Sequence, residues 1–262
     1  MPTIPVLGVD RVAEYFDVVH NWALDNGGDI GIRLTSFDLG NGSPVESLLS
    51  RLRVPIDRLH LIMDYGSLPP ALFGPLKVAA PMQLSQLPRL KEWKTFTVAA
   101  SGFPANLSDV NQYSMDEFTR TEWLLWRHLQ SERERIERLP AFGDYAVSHP
   151  ELLEFDPRKM RTSPKIKYTD DLRWLVAKGE SFRRKSDTKK PQHAPAKEQY
   201  QRLAKMITGH DAWREANFSW GDRQIDAAAA GNGRSDATTW VTVGTVHHIV
   251  FVVRQIASLH EF

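Results

Sequence analysis

Along the first 150 positions, short runs of consecutive apolar residues alternate with longer stretches in which apolar residues recur every three or four. The runs IPVLGVD (4–10), DIGIRLTS (29–36), RLHLIMDYG (58–66), WKTFTVAASGFP (93–104) and PAFGDYA (140–146) have the length and the β-branched or aromatic content of strands. Between the first two, Val12, Tyr15, Phe16, Val19, Trp22 and Ala23 fall at helical spacing. PVESLLSRLRV (44–54) carries a second helical pattern, and a weaker, proline-interrupted one follows the third strand. A strong helix is expected after the fourth, opened by Ser114 with Glu117 three residues on, a capping-box spacing, and running out in SERERIER (131–138). Five β–α steps in one direction predict parallel strands, and the near-continuous apolar runs predict burial on both faces.

After about residue 163 the rhythm changes. KIKYTDDLRWLVAKGE (165–180) predicts a hairpin that turns at Asp170–Asp171, and RRKSDTKKPQHAPAKE (183–198) an exposed basic loop. A helix, EQYQRLAKMITG (198–209), follows, and GTVHHIVFVVRQIASL (244–259) reads as a buried closing helix. The predicted class is α/β: a parallel, (β/α) barrel-like sheet over 1–162 and a C-terminal extension of hairpin, basic loop and helices over 163–262, joined in one domain.

Composition changes this picture little. At 262 residues, 42% hydrophobic and 25% charged, the chain is long enough for one large α/β domain or two small ones. A net charge of +1 names no partner, and nucleic acid is not implied by it. The absence of cysteine removes disulfides, thiolate nucleophiles and cysteine-ligated zinc. No apolar run approaches the roughly 18 to 20 residues of a membrane span, and MPTIPVLGVD lacks the regions of a signal peptide, so the expected address is the cytoplasm, with no membrane partner.

Candidate chemistry sits where the strands end. In parallel sheets and (β/α) barrels, ligands meet the carboxyl ends of the strands, and Asp10, Asp64 and Asp144 all fall there, with Arg33 inside the second strand and Ser101 beyond the fourth. Burying three acids uncompensated costs several kcal/mol. Each is therefore expected to be hydrated, hydrogen-bonded, paired with Arg11 or Arg33, or bound to a cation. An Asp after a strand is also a common helix cap or turn residue, and that reading stays open for each of them.

FGDYAVSHPE, IKYTDDLRWLVAKGE, FSWGD, TTW, GTVHH and VVRQIA, in this order, resemble the beta protein family, which is named after a bacteriophage protein and found also in bacterial genomes. IPVLGVDR, LHLIMDYG and WKTFTVAASGFP look like the same family's strand motifs, so the resemblance covers nearly the whole chain. It implies a phage-related or defence-related setting and no settled reaction. It also implies further strands ahead of IPVLGVDR. If the complete fold is an eight-stranded barrel, five strands cannot close it, which leaves a shortened reading frame, an open-sheet variant, or completion by another chain. Lys167 departs from an Arg–Tyr–Thr family motif: the charge is kept, the bidentate fork is lost, and clamping of phosphate or carboxylate there is weakened.

The adjacent His247 and His248 diverge by about 100° on a helix and cannot both face one ligand, so one points into a site while the other packs, or a helix-start histidine bonds a loop. His149 is a candidate proton carrier beside a loop-bracing alternative. Trp220 and Asp222 read as a wall and an acidic contact of a pocket, or as an anchor before a turn. No Walker-A loop, Rossmann glycine fingerprint, HExxH helix or Gly-x-Ser-x-Gly elbow is present. Two functions follow. In one, Asp64 and Asp144 hold Mg²⁺ or Mn²⁺, with Asp10, Arg33 and His149 completing a site that hydrolyses a phosphoester, nucleotide or nucleic acid. In the other, the same rim, with Arg11, Ser101, Trp220, Asp222, His247 and His248, binds a protein or small ligand without chemistry, or the chain self-associates through an open sheet edge.

Overall fold

The structure, a computed structural model, describes residues 3–39, 44–151, 162–181 and 194–259. In chain order its elements are β1 (Val6–Gly8), α1 (Ala13–Asn26), β2 (Ile30–Thr35), α2 (Pro44–Leu52), β3 (Leu59–Ser67), α3 (Pro70–Ser85), β4 (Thr95–Ser101), β5 (Ser114–Thr119), α4 (Thr121–Ser131), β6 (Ala141–Asp144), β7 (Lys165–Thr169), β8 (Arg173–Lys178), α5 (Ala196–Thr208), α6 (Trp220–Ala229) and α7 (Ala237–Ala257). They form two compact units, Met1–Gly102 with Thr121–Tyr145, and Phe103–Arg120 with Ala146–Phe262.

All five expected strands appear in the first unit, as one parallel sheet in the order β1-β2-β3-β4-β6. Alternation along each strand divides the side chains between two faces. Ile30, Ile32 and Leu34 of β2, Leu59, Leu61 and Met63 of β3, and Phe96, Val98 and Ala100 of β4 form one core with Phe16 and Val19 of α1, Leu52 of α2, Leu84 of α3 and Leu125 of α4. Each such aliphatic side chain contributes roughly 1.5–3 kcal/mol by leaving water. The opposite face carries Gly31, Arg33 and Thr35, then Ile62 and Asp64, then Thr97 and Ala99, and its larger members are only half-buried apart from Asp64. The expected burial of both faces therefore holds on the helix side alone. Strands laid down in sequence order with right-handed crossovers send every helix to the same side. The sheet is open: among the described residues β1 pairs only with β2, and β6 only with β4.

One expectation needs correction here. Ser114–Thr119 is no helix start but the strand β5, antiparallel to β8, with Glu117 paired to Arg173 across the ladder at 2.9 Å; the helix begins at Thr121. Ser-x-x-Glu is equally compatible with a short alternating strand, and pairing with β8 decides between them. The proline-interrupted stretch is the 16-residue α3, which contains Pro75 and Pro81. An interior proline costs a helix about 3 kcal/mol, offset here by burial of Ala80, Pro81 and Leu84.

The second unit is built on the three-stranded antiparallel sheet β5-β8-β7, whose β7–β8 hairpin turns where the sequence places it. Ile166, Tyr168, Leu175 and Ala177 pack on Leu203 and Ile207 of α5, Ile225 of α6 and Val243 of α7. Ala196–Glu198, at the end of the expected basic loop, already open α5; residues 183–193 of that loop lie outside the described residues. The closing helix starts earlier than its apolar pattern, because Asp236 caps it by accepting from the Thr239 N–H at 2.8 Å. At 21 residues α7 is long and apolar enough, by length and composition, to cross a membrane, contrary to the expectation that no such run exists. It buries Trp240, Val243, His247, His248 and Phe251 within the second unit.

Chain exit from β4 depends on close backbone approach. Gly102 N–H donates to the buried Glu122 Oε2 at 2.9 Å, and a Cβ on Gly102 would lie 2.5 Å from both Glu122 Oε2 and Thr121 Oγ1. Gly102→Ala is expected to cost about 1–3 kcal/mol of stability in urea denaturation, the range for overpacked sites. An unchanged midpoint and slope would show that this exit relaxes freely.

Candidate functional site

The rim of the first unit's sheet is organised around Asp64, which is only 3% exposed. The β3–β4 register shifts between Asp64 and Ser67, and Gly66 takes a positive φ of 62° that few side chains tolerate. This bulge turns the Gly66 N–H back onto Asp64 Oδ1 at 2.8 Å. Asp64 Oδ2 accepts from Arg33 Nε at 2.6 Å and from the Tyr145 hydroxyl. Three donors, one of them a guanidinium, thus replace the water that burial removes. Burial and, after it, the Asp64 carboxylate push the Tyr145 phenol up to about 12. Burial opposes the charge on Arg33, but its hydrogen bond to Asp64 and the carboxylate's charge outweigh that and raise its pKa. The Arg33 side chain stays 39% exposed, and among the described residues Asp64 is the one carboxylate paired with it.

The other predicted rim residues are placed differently. Asp10 and Arg11 lie in an exposed turn after β1, where Arg11 N–H donates to Gly8 carbonyl at 3.4 Å and the Arg11 guanidinium sits 5.6 Å from the Tyr15 ring centre. Ser101 is buried opposite Ser67, and its carbonyl accepts from Leu68 N–H at 2.7 Å. Asp144 is in register with Ala100, whose side chain belongs to the helix-side core, whereas Asp64 is in register with Ala99 and, across β4, Gly143. Strand alternation therefore gives Phe142 and Asp144 one face and Gly143 and Tyr145 the face of Asp64.

This corrects the expected divalent-metal pair. Asp64 and Asp144 do not face each other, both Asp64 oxygens already accept hydrogen bonds, and among the described residues no group of three or more His, Asp or Glu could hold a metal ion. A hard cation needs several free oxygens converging on one point, and the described residues gather no such set for Mg²⁺ or Mn²⁺.

In the second unit, the predicted ligand-binding residues brace the interior. His247 and His248 do diverge, but both lie in the middle of α7 and both are buried. His247 Nε2 faces the Thr169 carbonyl at 2.9 Å and its Nδ1 faces Asp222 Oδ2 at 3.0 Å. A carbonyl can only accept, so Nε2 donates to it, and Asp222 also accepts from the hydroxyls of Tyr168 (2.8 Å) and Ser219 (2.5 Å), which makes His247 and Asp222 a buried, hydrogen-bonded pair. Burial pushes the Asp222 carboxyl up, yet His247, Ser219 and Tyr168 outweigh it and hold the group below the ordinary carboxylate value. His248 Nδ1 meets Thr169 Oγ1 at 2.9 Å while its ring stacks on Trp174. Trp220 begins α6 at the surface. Beside it, a Cβ on Gly221 would come within 2.4 Å of the Val243 carbonyl, so glycine lets α6 and α7 touch. His149 accepts from the Glu151 N–H at 3.2 Å, a local turn.

Sequence reasoning missed Tyr145 and Tyr168, the hydroxyl donors to Asp64 and Asp222. The signal existed for the first: aspartate is followed by tyrosine in both MDYG and GDYA, and the tyrosine of the second serves the aspartate of the first. Lys167 was noted only as a departure, yet it is largely buried, donating to the Val147 carbonyl at 2.6 Å with its ammonium 4.4 Å from the Phe103 ring centre.

Residues 1–254 match the family model described as Beta protein. No curated protein and no solved structure matches the chain.

Burial, and secondarily the charge of Lys165, depress the Lys167 ammonium to about 8. An unfolded lysine stays protonated to roughly pH 10.4, so in that window the unfolded state binds more protons and stability rises with pH, by no more than about 3 kcal/mol. Urea denaturation at pH 7.5 and pH 10 is expected to show a gain for the wild type that Lys167→Met lacks. Parallel pH dependences for the two proteins would contradict the burial of a charged lysine.

Proposed function

The chain belongs to the beta protein family, and on that premise we propose that it binds a phosphate-bearing small molecule of nucleotide type, through Arg33, at the carboxyl end of the first unit's parallel sheet. The observation that carries this reading is the Arg33–Asp64 pair. A carboxylate that is itself buried and triply bonded fixes Arg33 through Nε, and the arginine side chain remains more than one-third exposed. A guanidinium held in this way has lost its rotational freedom before a ligand arrives and keeps a planar edge for an oxyanion.

The sequential strand order, with all the helices that join the core on one face, supports reading the sheet as an arc of a (β/α) barrel, and the half-covered polar face as its inner surface. Ligand binding without hydrolysis is favoured because the Asp64 oxygens are committed to the protein's own donors. A phage-associated or defence-associated setting rests on the family resemblance alone. Pairing of another chain with β1 is disfavoured: the Tyr15 hydroxyl donates to the Val6 carbonyl at 3.2 Å, occupying an acceptor that an added strand would need.

AMP is the probe that tests the reading. The side-chain Nε–H resonance of Arg33, assigned by its loss in Arg33→Gln, is expected to shift saturably as AMP is added. In calorimetry, Arg33→Lys is expected to bind the Arg33-dependent AMP at least about tenfold more weakly, the loss of one charge-assisted bond. A resonance that stays fixed at millimolar AMP would refute the reading.

A further inference from the structure

Lys165 and Lys167 alternate along β7 with Ile166 and Tyr168, which belong to the helix-side core, so both lysines stand on the other face of the hairpin. Lys178 is the cross-strand partner of Lys165 in the β7–β8 ladder. Side chains directly opposite in an antiparallel pair have Cβ atoms about 4.5–5.5 Å apart, and like charges there destabilise the sheet. Three ammonium groups therefore share one side of a hairpin. Among the described residues no carboxylate is paired with any of them; every acceptor they meet is a backbone carbonyl.

The three lysines are not equivalent. Lys178 Nζ donates to the carbonyls of Leu107 (2.6 Å), Ser108 (3.2 Å) and Val110 (2.7 Å), which uses all three of its N–H groups and makes it a fixed charge. Lys165 has one such partner, the Ser163 carbonyl at 3.3 Å, and Lys167 one, the Val147 carbonyl at 2.6 Å. Each of these two ammonium groups thus retains two donors that no described residue accepts. Both are partly buried, and burial first, then a neighbouring lysine, depresses the pKa of each: Lys178 acts on Lys165, and Lys165 on Lys167. Clustered, desolvated, like-charged groups without counter-ions raise the free energy of the fold, and a multiply charged anion relieves it.

We propose that Lys165 and Lys167, in the field of Lys178, form a phosphate-binding site on the β7–β8 hairpin of the second unit, made of residues that take no part in the Arg33 site. The ligand is a dianionic phosphate, free or as a monoester. Two point charges replace the fork that an arginine at 167 would have offered: number and proximity supply what bidentate geometry does not. The bonds to Ser163 and Val147 keep the ammonium groups in place while their remaining N–H groups meet phosphate oxygens.

Calorimetric titration with inorganic phosphate at pH 7.0 and low salt, on the full chain, tests this. Arg33→Gln is expected to bind one phosphate per chain, and Lys165→Gln with Lys167→Gln, made like every lysine substitution here in the Arg33→Gln background, to lose that binding at least tenfold while melting at the temperature of Arg33→Gln or above, since repulsion has been removed. Should the double variant fail to fold, Lys165→Arg with Lys167→Arg is expected to retain the site, and Lys165→Gln alone to weaken it. Titration with glycerol 3-phosphate separates the sources: stronger binding than phosphate assigns the site to monoesters, weaker binding to the free ion. If the Arg33 reading fails and this one holds, wild type and Arg33→Gln each take one phosphate in the same way. If Arg33→Gln takes none, or the glutamine variants bind as Arg33→Gln does, the lysine site is overturned.

Discussion

A carboxylate removed from water must be satisfied where it stands, and Asp64 is the group around which the rim of the parallel sheet is arranged. Its three donors come from three places in the chain: Arg33 on β2, Gly66 in the bulge that ends β3, and Tyr145 just past β6. Gly66 is a local neighbour within the bulge, but Arg33 and Tyr145 lie 31 and 81 residues from Asp64, so their meeting requires the parallel register β2–β3–β4–β6 to be in place. The same bonds that make burial tolerable also hold an arginine at the end of the sheet where ligands are usually met. Structure and candidate function thus draw on one interaction.

The second unit treats its fully buried Asp222 alike but to a different end. Asp222 is satisfied by Ser219, Tyr168 and His247, which tie the start of α6 to β7 and to the middle of α7. All of these partners are themselves buried, and nothing of the network is left facing outward. Removal of one partner from such a set leaves an uncompensated charge, which is why buried ion pairs hold elements in register even where they add little net stability. Exposure separates the two acids: one holds a partly exposed arginine, the other a fully enclosed histidine.

How much of this was legible in the sequence depends on the range of the interaction involved. The five parallel strands, α1, α2, α5 and the β7–β8 hairpin follow from local apolar periodicity, because each buries a face whose spacing is written in a dozen residues or fewer. Ser114–Thr119 was misread because a strand that is stabilised by a partner some sixty residues away looks locally like a cap, and α3 was undervalued because burial overrides proline. At the rim, strand ends located Asp64 and Arg33 together. They did not exclude Asp144: it ends a strand too, and only the one-residue offset of β6 against β4 turns it to the helix side. His247 and Asp222 drew notice as reactive residue types, yet reactivity depends on access, which a sequence does not state. The lysine face was invisible until the register of β7 against β8 placed Lys178 beside Lys165.

The claim on which this account most depends is that Asp64 and Arg33 act as a coupled pair. A double-mutant cycle of Arg33→Gln, Asp64→Asn and the combined variant, with stability read from urea denaturation, measures that coupling directly. Because Arg33 is partly solvated, the account predicts an interaction free energy of about 1 kcal/mol, the two single losses exceeding the combined one. Additivity within about 0.3 kcal/mol would mean that Asp64 does not hold Arg33 at the rim, and would contradict it.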